Sequence, residues 1–119
     1  MLTLPSSVKI YVAATPVDAR KSFDGLSALV QSEFGIEPLS GHLFAFINRR
    51  GHIAQLLFWD RNGFFLMKKR LEAGTFRLVR KPLSEAAHVE IDSAELALML
   101  EGIELDGATR RKRYRHDPA

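Results

Sequence analysis

The chain contains no cysteine. That excludes disulfide bonds, thiol nucleophiles and thiolate metal centres, and it fits a reducing compartment. No apolar run approaches the roughly 20 residues that a bilayer span requires. The start, Met1-Leu2-Thr3-Leu4-Pro5, has neither the basic residues nor the apolar stretch of a secretory signal. Together these absences point to a cytoplasmic protein with no membrane role. The sequence also lacks a P-loop, a dinucleotide fingerprint and a Gly-x-Ser-x-Gly elbow. Lysine and arginine are absent from the whole of residues 82–109.

What is present describes an ordinary folded domain. The 119 residues are 46% hydrophobic and 26% charged, which suits one core and no second domain. A chain this long buries roughly two thirds of its unfolded surface and needs no covalent staple. The net charge of +3 conceals an uneven distribution. Residues 1–81 hold 12 Lys/Arg and 6 Asp/Glu, residues 82–109 hold none and 7, and residues 110–119 hold 5 and 1. A basic body and tail attract polyanions. The acidic segment suits a basic partner, or shields the basic face.

Val8 to Ala13 reads as a strand, ended by Thr15-Pro16. Ser22 is placed to cap a helix, with Asp24 in its first turn. Phe23, Leu26, Leu29, Val30 and Phe34 form its apolar face, and Gly35 suits its left-handed end. Four strands are then expected, at His42 to Asn48, His52 to Asp60, Phe64 to Leu71 and Thr75 to Arg80. Arg49-Arg50-Gly51, Asn62-Gly63 and Ala73-Gly74 supply the turns. With no crossover helix between these strands, a parallel arrangement is not expected. Val89 to Ile91 reads as a short edge strand. Asp92 and Glu95 form a capping box for a C-terminal helix that Gly102 stops. The fold class is therefore α+β: an antiparallel meander of about four to six strands packed with one N-terminal and one C-terminal helix. The domain spans residues 1–107, and 108–119 form a disordered basic tail.

Two-residue turns at Asn62-Gly63 and Ala73-Gly74 set Trp59 opposite Leu66, Leu57 opposite Lys68, Gln55 opposite Arg70, and Arg70 opposite Arg77. One face then collects Leu56, Phe58, Phe65, Met67, Leu71, Phe76 and Leu78, and is expected to pack on the first helix. The other collects Trp59, Lys68, Arg70 and Arg77 beside Gln55, Leu57 and Leu66. Cations beside an indole suit nucleic acid, since Lys and Arg neutralise phosphates while the ring stacks on a base. The same pattern is that of a solvated outer face. A further alternative is a protein interface around Trp59, or a cover provided by the acidic C-terminal helix.

Other candidates are weighed in the same way. Arg110, Arg111, Lys112, Arg113 and Arg115 surround Tyr114 in a dense basic arm that suits phosphates or a groove, or simply keeps the chain in solution. Arg20 and Lys21 precede the first helix and suit a phosphate there, or a solvated turn. His42 and His52 flank a hairpin and approach each other on this reading, but their spacing fits no known metal motif. Asp18, Asp24 and Asp60 are explained by turns and caps, whereas a two-metal nuclease needs carboxylates that converge. No catalytic residue, metal or cofactor is assigned.

Four segments resemble, in order, one known family. They are Pro16-Val17-Asp18-Ala19-Arg20-Lys21-Ser22-Phe23-Asp24-Gly25-Leu26, then Gly41 to Phe46, then Phe58-Trp59-Asp60 through Gly63 with Lys69 to Phe76, and finally Leu98 to Ile103. The family is the second-open-reading-frame accessory protein, often labelled TnpB, of the insertion-sequence group numbered sixty-six. It is distinct from the RNA-guided nucleases that share the label. Phe58 departs from it where a second tryptophan is frequent, and Met67-Lys68 where an apolar-aromatic pair is common. The resemblance implies a bacterial mobile element and a role in transposition beside a separate transposase and a further small protein. It implies no catalytic residues. The expected partners are DNA at the element ends, the transposase and the other element-encoded protein. The expected activity is non-catalytic DNA binding, the alternative being a module that docks on the transposase.

Overall fold

The computed structural model describes Pro5 and residues 7–102. The strands are β1 (Ile10–Ala13), β2 (Leu43–Ile47), β3 (Ile53–Asp60), β4 (Gly63–Arg70) and β5 (His88–Ile91). They form one sheet in the order β4-β3-β2-β1-β5. Helix α1 (Phe23–Leu29) runs on into a π-helical turn at Val30–Phe34, and α2 (Ser93–Glu101) follows β5. The α+β class expected from the pattern is what forms, with β5 at one edge.

The helix boundaries follow local chemistry. Ser22 occupies the cap position of α1, although its side chain makes no capping bond. Gly35 ends the π-helical turn in the left-handed region, at φ 67°. At α2 the capping box forms completely: Asp92 accepts from the Glu95 backbone N–H (2.8 Å), and the Glu95 carboxylate accepts from that of Asp92 (3.0 Å).

Four expectations are corrected. First, β1 and β2 are parallel, with Ile10 opposite Leu43 and Val12 opposite Ala45. The helix between them is itself the crossover that such a pair requires. Second, residues 75–80 form no strand. Phe76 donates its N–H to Gly51 O (2.7 Å) and buries its ring. Leu78 and Val79 then pack on the core that α2 covers. The chain therefore folds across the end of the sheet, which leaves β4 as an edge and means that Arg70 does not pair with Arg77.

Third, the β3–β4 hairpin closes at Asp60 opposite Gly63, so Arg61 and Asn62 form the turn and Arg61 takes φ 55°. Leu57 faces Leu66, Phe58 faces Phe65 and Trp59 faces Phe64. The register is two residues away from the expected one. This pairing stacks Phe58 on Phe65 (5.0 Å) and spares buried Leu57 an opposing lysine, which favours it over the Asn62-Gly63 closure. A shift of two keeps each side chain on its expected face.

Fourth, the faces are covered the other way round from the expectation. Leu26, Val30 and Phe34 of the first helical segment pack with Phe44, Phe46 and Leu57. Leu96 and Met99 of α2 pack with Ile10, Val12, Leu43, Ala45 and Leu56. Thus α1 lies on the Leu57 face rather than the Leu56 face, and α2 covers the opposite one. α1 is the crossover between the parallel neighbours β1 and β2, so its side of the sheet is set by the hand of that connection and not by the β3–β4 hairpin.

Candidate functional site

Two loops meet at one end of the sheet. The first, residues 14–22, links β1 to α1. The second is the β2–β3 turn, Asn48-Arg49-Arg50-Gly51. Their junction is a backbone hydrogen bond from Val17 N–H to Ile47 O (2.9 Å). Two side chains of the neighbouring strands also hold the first loop. Gln55, only 2% exposed, donates Nε2 to Lys21 O (3.0 Å), and Lys68 donates Nζ to Ala19 O (3.1 Å). A buried amide needs such a partner, since a lost one costs about 1–3 kcal/mol.

The β2–β3 turn is fixed from within. Gly51 N–H donates to Asn48 O (2.9 Å), and Ile53 N–H donates to Asn48 Oδ1 (3.0 Å). Asn48 Nδ2 lies 3.1 Å from His52 Nδ1. Gly51 has φ 76°, and a Cβ there would stand 3.1 Å from Thr75 Cβ. Only glycine meets both conditions without strain. Arg49 and Arg50 fill the two central positions, and both are exposed. Neither makes a side-chain hydrogen bond or ion pair among the described residues.

Between the two loops lies an open groove of about 550 Å³, lined by Pro16 to Arg20 and by Asn48, Arg49 and Arg50. Arg20 is held at its rim by Asp18, with Nε 3.1 Å from both carboxylate oxygens and Nη2 2.7 Å from Oδ2. Asp18 Oδ1 also accepts the Arg20 backbone N–H (2.9 Å). These contacts, the guanidinium first, lower the Asp18 pKa to about 2 and raise that of Arg20. The Arg20 side chain nevertheless stays 91% exposed.

Of the eleven expected binding residues, six lie among the described residues, and the structure brings five of those six to this end. Arg20 and Lys21 lie on the first loop. Lys68 is opposite Gln55, and Arg70 is opposite Ile53, beside the turn. Arg70 pairs with Glu72 at 2.9 Å. Arg77, though not in a strand, lines an adjoining groove with Pro16 and Asn48. Trp59 is not brought to them. It is four residues along β3 from Gln55, roughly 13 Å at the usual strand rise, and packs edge-to-face on Phe64 (5.1 Å). The expected indole–cation surface is therefore split, because the hairpin register moves the cations away from the indole. Arg110, Arg111, Lys112, Arg113 and Arg115 lie outside the described residues, as does the domain boundary at 107.

The expected approach of His42 and His52 is also corrected. They sit beyond opposite ends of the β2–β3 pairing, on the order of 20 Å apart. His42 Nδ1 accepts the Lys9 N–H (3.0 Å), while His52 is engaged by Asn48. Among the described residues, no three His, Asp or Glu gather as metal ligands, and no helix is long and apolar enough to cross a membrane. Arg49 and Arg50 were legible only as turn residues. Two arginines between an asparagine and a glycine mark a tight turn at the surface, and that is the signal that could have drawn attention to them.

A family model described as IS66 Orf2 like protein matches residues 8–110. The chain is also similar to two proteins of Sinorhizobium fredii, uncharacterized protein y4hO and uncharacterized protein y4jC. The first is 33% identical over 87% of this chain and 88% of its own length, the second 34% over 87% and 86%. No solved structure matches the chain.

Proposed function

We propose a role from one premise: the chain belongs to the IS66 Orf2-like protein family. It is thus a transposition-associated protein of an insertion sequence. Within that process it acts without catalysis, binding the DNA of the element and leaving strand chemistry to a separate transposase. The basic end of the sheet provides the contact, and the arginine-rich tail extends it. One observation carries this reading most directly. Lys68 and Gln55 tie the Arg20-Lys21 loop to the sheet, gathering cations from distant parts of the sequence on one rim. Such a rim binds phosphates in a salt-dependent way. An electrophoretic shift with duplexes from the element ends tests this. Retarded bands that weaken steeply with salt are expected, and free duplex at low salt overturns the reading.

A second reading, docking on the transposase or another element-encoded protein, is favoured by a different region. On edge strand β4, Phe65 and Met67 are 53% and 37% exposed. An open edge with apolar side chains suits strand addition by another chain. Co-purification with the transposase that survives nuclease treatment and is lost in Phe65→Asp supports it. A failure to co-purify removes it.

A further inference from the structure

We propose that the groove between residues 16–20 and the Asn48–Gly51 turn is a seat for the phosphate backbone of duplex DNA, gripped by Arg49, Arg50 and Arg20. This rests on the DNA-binding reading and locates its main contact. The chemistry differs from that of the other basic residues at the same end. Lys68 is tied to Ala19 O and Arg70 pairs with Glu72, and neither lines the groove. Arg49 and Arg50 are committed to nothing among the described residues. Their backbone is already ordered by the Asn48 and Gly51 bonds, so binding does not have to arrange the loop.

Arg20 enters from the other wall. Asp18 fixes it in a bidentate clasp without burying it. The clasp orients the guanidinium and leaves donors free for an anion, since arginine carries five N–H groups. The Val17-to-Ile47 hydrogen bond sets the spacing of the two walls. Three guanidinium groups facing one carboxylate leave the groove net positive. Arginine at such a site suits the paired oxygens of a phosphate. The contacts reach the backbone alone and carry no base readout.

The test measures binding of the full chain to two duplexes of equal length, one from an element end and one unrelated, across a salt series. Arg49→Gln/Arg50→Gln is compared with Lys9→Gln/Arg61→Asn, which removes the same charge away from the groove. The arginine pair is expected to weaken binding to both duplexes by on the order of tenfold and to lower the salt slope by about two. The control pair is expected to do neither. Equal losses in the two variants reduce the effect to net charge and overturn the seat. A loss confined to one duplex overturns it in favour of base readout. No loss in either variant, with wild-type binding intact, overturns the seat but not the DNA-binding reading. No binding by the wild type overturns both.

Discussion

The C-terminal half of β4 and the β2–β3 turn carry similar sequences, Lys68-Lys69-Arg70 and Arg49-Arg50, but employ their charges in opposite ways. On β4 the cations are engaged within the chain: Lys68 binds Ala19 O, Lys69 binds Leu100 O and Arg70 binds Glu72. In the turn the backbone is held by its own hydrogen bonds, and Arg49 and Arg50 are exposed with no side-chain bond among the described residues. The apolar groups are distributed inversely, with Phe65 and Met67 exposed on β4. A basic residue is thus a binding candidate only after its intramolecular bonds are known. β4 suits a protein partner, and the turn suits an anion.

The difference can be broken most forcefully at Gly51. Gly51→Val adds left-handed strain and a close contact with Thr75, and is expected to cost about 2 kcal/mol of stability. Denaturant unfolding measures this, and DNA binding falls with it as the turn distorts. Lys68→Met comes next. Losing one surface bond that ties down the 14–22 loop is expected to cost about 0.5–1 kcal/mol and to speed hydrogen exchange in that loop. Arg49→Gln/Arg50→Gln is expected to change stability by less than about 0.5 kcal/mol, as for surface positions without structural partners. A melting midpoint that falls as far for the turn pair as for Lys68→Met erases the distinction.

The smallest effect concerns pH. The folded-state pKa of Asp18 is depressed to about 2, so its contribution is present above its unfolded value and is lost as pH falls toward 2. Glu95 is likewise lowered, first by Arg80 and then by the Asp92 backbone N–H. Titration from pH 7 to about 3, through the ordinary aspartate range, is therefore expected to leave the Asp18–Arg20 clasp largely intact, with the Asp18 carboxyl resonance little shifted by NMR. A carboxyl that titrates near the ordinary range shows that the clasp does not form.

Much of the fold was legible because its signals are local. The capping box at Asp92 and Glu95, the left-handed ends at Gly35 and Gly102, and the alternation along β3 each fix structure within a few residues. The β3–β4 register was not legible from Asn62-Gly63, because cross-strand pairing of Leu57, Phe58 and Trp59 outweighed the preference of the turn. The side of the sheet taken by α1 was also hidden, since either apolar face satisfies an amphipathic helix. At the candidate site, Arg20, Lys21, Lys68 and Arg70 were recognisable from charge. Their separation from Trp59 depended on register, and the openness of Arg49 and Arg50 on a turn geometry that the dipeptide alone does not reveal.

Hydrogen exchange of the full chain, with and without bound duplex DNA, tests the central distinction most directly. Slowed exchange is expected across residues 16–22 and 48–51, with little change along 63–70. Protection confined to 63–70 would contradict the account, placing the DNA on the strand whose cations were assigned to the fold.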